Sequence, residues 1–190
     1  FFDQSKPYFL SDVGKQYIAG LLRHCREFFA ITNQWINSYK RLQFGFEAST
    51  HISWGLGGHT ELVRIPQCKA SKPNSMRVEI KNPDSACNPY LVFSALLASG
   101  LKGIEEQYEL NEPIKLLHSI RSREDLKNLG LEPLPMQLNE AIGHLERSDL
   151  MKETLGSFIH EKFIENKLLE IDRYNSHITD YEISEYLPIL

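Results

Sequence analysis

The 190-residue sequence has no hydrophobic run long enough to span a membrane, and its opening residues, Phe-Phe-Asp-Gln-Ser-Lys, do not form a signal peptide. Both absences argue against a membrane protein and lead us to expect a cytoplasmic one. Cysteine is scarce. Cys25, Cys68 and Cys87 show no Cys-x-x-Cys spacing and cannot all pair with one another, so neither a disulfide framework nor a zinc site is indicated, and they are expected to be reduced packing residues. Excess positive charge is also lacking. With 21 Lys+Arg against 25 Asp+Glu, the net charge of −4 gives no general attraction to nucleic acid or anionic lipid, so any anion site must be local. The glycines at 55, 57 and 58 cluster without the strand-to-helix spacing of a phosphate loop, and no nucleotide fingerprint is read there.

What is present is an ordinary globular composition, 42% hydrophobic and 24% charged, in a chain long enough for one sizeable core. Ser11 and Asp12 supply an N-cap for a helix whose apolar residues Tyr17, Ile18, Leu21, Leu22, Cys25, Phe28 and Phe29 recur at helical spacing. Residues 33–48 fit neither period and read as a loop, with Lys40 and Arg41 in an aromatic and polar setting; a surface turn with a basic pair fits these residues equally well. Three strands are expected, Thr50 to Trp54, Glu61 to Pro66 and Met76 to Lys81. Asn88 and Pro89 open a helix to about Glu106 that is apolar almost all round, which predicts central burial. Residues 109–131 read as a polar excursion with a short helix before Gly130. Further helices are expected at 136–147, up to Leu155 and from 157 to 174, and Asp180 is expected to cap a last turn ending at Tyr186. The apolar end, Tyr-Leu-Pro-Ile-Leu, suits docking on a neighbouring subunit.

The strand Met76 to Lys81 carries the chemistry. Its period of two sends Arg77, Glu79 and Lys81 to one face and Met76, Val78 and Ile80 to the other. A carboxylate between two cations suits either a divalent cation flanked by anionic groups or a solvated face with two ion pairs. Arg64, set between Val63 and Ile65, is either snorkelling or aimed into a cleft.

Several blocks taken together resemble the carboxy-terminal catalytic half of the glutamine synthetase family: Asn37-Ser-Tyr-Lys-Arg-Leu42, Gly45-Phe-Glu-Ala48, Ile52-Ser-Trp-Gly55, Val63-Arg-Ile-Pro66, Arg77-Val-Glu79 and Asn82-Pro-Asp-Ser-Ala-Cys-Asn-Pro-Tyr90. They occur in the family's order and spacing, and the likeness runs through nearly the whole chain. The resemblance implies an α+β fold, with a curved, mainly antiparallel sheet backed by helices and a helical C-terminal region. It also implies an ATP-dependent ligase that phosphorylates the glutamate side chain and lets ammonia displace the phosphate, with Mg2+ or Mn2+ as cofactor. In that scheme Arg41 contacts glutamate, a bidentate fork being suited to a carboxylate. Glu47 lies on a flap that shields the acyl phosphate and helps deprotonate ammonium. Arg64 meets the nucleotide phosphates, Arg77 lies in the nucleotide region and Glu79 is a metal ligand. Ring-based homo-oligomers, the dodecamer among them, are implied as well.

Two departures qualify the carry-over. His59 stands where the family has an arginine that serves nucleotide and substrate, and Lys81 stands where a second glutamate-contacting arginine is expected. A lysine keeps the charge and loses the planar fork, while a neutral histidine loses the charge too. The alternatives are thus a γ-glutamyl ligase for another amine and a non-catalytic scaffold subunit. The chain starts without methionine, and the family's paired glutamate ligands, its histidine ligand and its small amino-terminal domain have no counterpart here, so these residues are read as the later part of a catalytic domain. The expectation is that they do not turn over alone.

Overall fold

The computed structural model describes residues 1–44, 48–58, 60–114 and 122–190. Helix α1 (Asp12–Thr32) starts where Ser11 Oγ accepts the Gly14 amide at 3.1 Å, with Asp12 adding negative charge to the first turn. Its stripe of Ile18, Leu21, Cys25, Phe28 and Phe29 is buried, as the spacing predicts. Burial pushes the Cys25 thiol up to about 12, which keeps it a protonated packing group.

Helix α2 (Pro89–Glu105) lies against α1 and is capped by Asn88, whose Oδ1 accepts the Tyr90 amide at 3.0 Å. The two backbones touch. A Cβ on Gly20 would sit 2.2 Å from the Ser99 carbonyl oxygen, and one on Gly103 would sit 2.2 Å from that of Gln16. This close approach corrects the expectation of central burial for α2. Its packed face is the small one, made of Val92, Ala95, Ser99, Gly100 and Gly103, while Tyr90, Phe93, Leu97 and Leu101 are between 51% and 82% exposed.

The sheet is small and mixed. Its order is β1 (Trp54–Gly55), β2 (Val63–Arg64), β3 (Glu79–Ile80), with β1 parallel to β2 and β2 antiparallel to β3. The fold is α+β as expected, but each strand is shorter than its alternation suggested, because the flanking residues bond elsewhere. Ile52 N donates to Glu132 O at 2.8 Å and Leu134 N to Thr50 O at 2.9 Å, so the first half of the expected strand 50–54 pairs with 132–134. Before β3 the chain makes a 3₁₀ turn at Pro73–Ser75. Met76, Val78 and Ile80 still pack against the core, and Arg77 is exposed, as the period of two requires.

The remaining elements follow the expected order. Helix α3 (Arg123–Asn128) ends just ahead of Gly130, whose φ of +65° is the left-handed turn that glycine tolerates. Helices α4 (Leu138–Glu146), α5 (Asp149–Leu155) and α6 (Ser157–Asn175) form the second half, α4 packing on α1 and both α4 and α5 on α6. The cap of α7 (Asp180–Tyr186) is Thr179 rather than Asp180. Its Oγ1 accepts the Glu182 amide at 3.2 Å, and Glu182 returns a carboxylate to the Thr179 amide at 2.7 Å. Among the described residues no helix is long and apolar enough to cross a membrane.

Candidate active site

Antiparallel register places Arg64 of β2 opposite Glu79 of β3. The side chains meet there, Arg64 Nε donating to Glu79 Oε2 at 2.5 Å, with the arginine 25% and the glutamate 42% exposed. The alternation that sends Val63 and Ile65 into the core turns Arg64 to the other face, where it meets Glu79. A partly exposed pair of this kind stabilises the fold by about 1 kcal/mol or less. Either partner can therefore be drawn to another ion at small cost.

Lys81 continues the row. Its backbone amide donates to Leu62 O at 3.0 Å and its Nζ to Gly58 O at 2.9 Å, which ties the row to the glycine-rich loop. Arg41 ends a 3₁₀ helix (Ile36–Arg41) inside the segment read as a loop, and its Nη2 donates to Asn82 O at 3.1 Å. Asn82 is itself buried, and its Nδ2 donates to Thr32 Oγ1 at 2.7 Å at the end of α1. An open cleft of about 600 Å³ lies beside Arg41, between Trp35, Asn37 and Ser38 on one side and Pro83 and Asp84 on the other. A larger cleft, about 770 Å³, lies between α1 and residues 106–112, and none of the sequence-predicted site residues lines it.

The structure thus joins Arg64 to Glu79 directly, and anchors Arg41 and Lys81 to backbone within a few residues of that pair. Arg77 stays on the exposed side. Glu47 and His59 lie outside the described residues. Sequence reading missed Glu61, a carboxylate only 1% exposed whose Oε1 accepts the Gly58 amide at 2.9 Å. It also missed the buried Thr32–Asn82 link that sets Arg41. The only sequence signal for Glu61 is its spacing from the two glycines, at 55 and 58, that make room for it.

As a divalent-cation ligand Glu79 fits in part. It offers a hard carboxylate oxygen at a half-exposed position, but among the described residues no group of three or more His, Cys, Asp or Glu is gathered. It suits one ligand of a shared site.

This three-stranded mixed sheet, which pairs Glu79 with Arg64 and is backed by close-packed helices, has counterparts among known proteins. Residues 1–186 match the family described as glutamine synthetase, catalytic domain. The chain belongs to that family. It is 44% identical over 189 residues to a glutamine synthetase of Mycolicibacterium smegmatis and 40% identical over 190 residues to one of Methanosarcina mazei. Each match covers all of this chain and 42% of the relative, so the chain spans about two-fifths of those proteins. A solved GmaS–ADP complex superposes with a TM-score of 0.83 at 30% identity, over 98% of this chain and 42% of that one. A Plasmodium falciparum glutamine synthetase shares the fold, with a TM-score of 0.83 at 23% identity over 98% of this chain and 44% of its own.

Proposed function

We propose that residues 1–190 form the carboxy-terminal part of the catalytic domain of a cytoplasmic glutamine synthetase, which ligates ammonia to the side-chain carboxylate of glutamate at the expense of ATP. The γ-phosphoryl group passes to the carboxylate, releasing ADP; ammonia then attacks the acyl carbon, phosphate leaves with the bonding electrons, and the amide remains. Negative charge moves along this path throughout, so fixed cations are the parts the reaction needs. Arg64 holds nucleotide phosphates, with Arg77 near the nucleotide. Arg41 and Lys81 receive glutamate, whose entry the cleft beside Arg41 suits. By their match to the family pattern, Glu47 would help deprotonate ammonium and His59 would serve nucleotide and substrate.

Glu79 would hold Mg2+ or Mn2+, which supplies positive charge to the phosphate oxygens when bound. The observation that carries the reading is the Arg64–Glu79 pair at 2.5 Å across β2 and β3. A cation taken by Glu79 and a phosphate taken by Arg64 exchange one ion pair for two, each with a stronger partner. That one family neighbour was solved with ADP supports a nucleotide site on this fold. A γ-glutamyl ligase for a different amine is the second reading, supported by Lys81, a point charge in place of a planar fork.

The test is calorimetric titration of the 190-residue chain with ADP and Mg2+. Measurable binding that weakens at least severalfold in both Arg64→Ala and Glu79→Ala supports the site, and unchanged affinity in both variants overturns it. Steady ATP- and glutamate-dependent phosphate release is expected to be absent from the 190-residue chain and to require the rest of the catalytic domain. Ring-based assembly of the full-length protein, the dodecamer included, is proposed on the same footing, with the apolar C-terminal residues as one of its contacts.

A further inference from the structure

A buried glutamate, outside the blocks that carry the family resemblance, sits behind the proposed glutamate seat. Glu61 is 1% exposed, and its carboxyl occupies the space that side chains on two glycines would need. A Cβ on Gly55 would lie 2.6 Å from Glu61 Oε1, and one on Gly58 would lie 2.2 Å from it. The contact made there is directional. Gly58 N donates to Glu61 Oε1 at 2.9 Å, and on the other side of that glycine Gly58 O accepts from Lys81 Nζ at 2.9 Å. The base of the relay is held as well, since Ser49 Oγ donates to Glu61 O at 2.7 Å and Lys81 N donates to Leu62 O at 3.0 Å. Glu61 Oε2 is buried with no hydrogen-bond partner among the described residues, so the polar contact made by this side chain is with the Gly58 amide.

We infer that Glu61 is a positioning residue for Lys81, acting through the backbone at Gly58, and that it sets where the lysine ammonium stands in the substrate seat. A lysine head has three rotatable donors and no fixed plane, so its direction must come from what it is bonded to. One anchor here is the carbonyl of Gly58, a residue whose own amide is held by a buried side chain, so the backbone that carries the carbonyl is fixed in place. An arginine carries its own geometry and needs no such anchor. The inference extends the proposed function, since Lys81 matters to catalysis only if glutamate binds there.

The experiment uses the 15N,13C-labelled 190-residue chain, with the Gly58 amide and the Lys81 ε-methylene as reporters and L-glutamate as the added ligand. In Glu61→Gln, which keeps an acceptor oxygen, protection of the Gly58 amide from hydrogen exchange is expected to stay within about twofold of wild type. In Glu61→Asp, one methylene shorter, protection is expected to drop about fivefold to tenfold, the scale of one hydrogen bond, and the Lys81 ε resonances are expected to move. Gly58→Ala attacks the same contact from the other side and should move the same two signals, which covers the case in which one variant fails to fold. An amide at position 58 whose protection is unchanged in both Glu61→Asp and Gly58→Ala, or one that changes while Lys81 does not, overturns the inference. The glutamate arm separates it from the reading beneath it. Where both reporters respond but Lys81→Ala leaves glutamate affinity unchanged, or no glutamate binds, the positioning role stands and the assignment of Lys81 to the substrate fails.

Discussion

His51 is 1% exposed and its Nε2 has no hydrogen-bond partner among the described residues, while Thr50 Oγ1 lies 3.3 Å from Nδ1. Burial lowers its pKa to about 4 from an ordinary 6.5, so the folded chain holds this ring neutral where the unfolded chain protonates it. Between these two values the unfolded state binds the extra proton, and stability must fall as pH drops from about 6.5 to about 4, then level off with respect to this group. The loss is on the order of 3 kcal/mol. His144 acts in the same direction, its pKa lowered by burial first and by Arg26 and Arg147 after that. Thermal midpoints measured across this pH range should fall less steeply in His51→Leu than in wild type; parallel curves would show that the ring is not protonated on unfolding. At Glu79 the outcome turns on competition. Because Arg64 occupies Oε2, Arg64→Ala is expected to raise affinity for Mn2+ added alone by about fivefold, the equivalent of losing one partly exposed ion pair, while lowering affinity for ADP. Glu79→Ala should weaken both. Manganese EPR titration reads the first quantity, and Mn2+ affinity that falls in Arg64→Ala would mean that the arginine helps hold the carboxylate in place for the metal.

At the scale of elements, the α1–α2 contact and the interior of α4 set a glycine in a helix against opposite surroundings. Alanine is favoured over glycine in a helix interior by about 1 kcal/mol. Gly143 in α4 has only the end of the Arg147 side chain near its missing Cβ, at 3.6 Å, so Gly143→Ala is expected to stabilise by roughly that amount. Gly103 meets backbone instead, with the Gln16 carbonyl oxygen 2.2 Å and the Gly20 Cα 2.7 Å from the Cβ position, and backbone cannot rotate away. Gly103→Ala is therefore expected to destabilise by about 1–3 kcal/mol despite the better propensity. Urea midpoints that move in opposite directions in the two variants support the contact, and a rise in both would mean that α1 and α2 separate freely. Local patterns made much of this level legible in sequence. Ser11 and Asn88 each cap the helix their spacing predicts, and the alternation through Met76 to Lys81 put Glu79 and Arg77 on the side opposite the core. The helix–helix contact was not legible, because a run apolar on every side does not say which face a neighbour prefers. In α2 that choice went to glycine, serine and alanine, the residues that permit backbone approach. The hydrogen bonds that split residues 50–54 between β2 and 132–134 join parts of the chain too far apart in sequence for any local pattern to signal. Glu61 belongs to the same class: a charged residue beside glycines reads as surface until the glycines are seen to be empty because the carboxyl fills them.

At the scale of the molecule, the large side chains left outside carry the argument. Tyr90, Phe93, Leu97 and Leu101 fall at spacings of three and four along α2 and form one continuous apolar stripe, with Tyr90 at 82% exposure. Ile178, Tyr181, Tyr186, Leu187 and Ile189 are also more than half exposed, at the far end of the chain. Packing gains little from such residues in the chain as described, and water in contact with a stripe of this kind favours association. The family relation gives the physical context, since this chain spans 42% of its curated relatives and a surface that is open in two-fifths of a protein need not be open in the rest. The 190-residue chain is expected to self-associate with rising concentration through the α2 stripe, and the double variant Phe93→Ser, Leu97→Ser should suppress this in sedimentation velocity. Because both side chains point away from the core, the same variant should leave the thermal midpoint within roughly 4 °C of wild type, the shift that about 1 kcal/mol produces in a chain of this size. A much larger drop would mean that the stripe packs within the same molecule in solution, and unchanged sedimentation would assign association to the C-terminal residues instead.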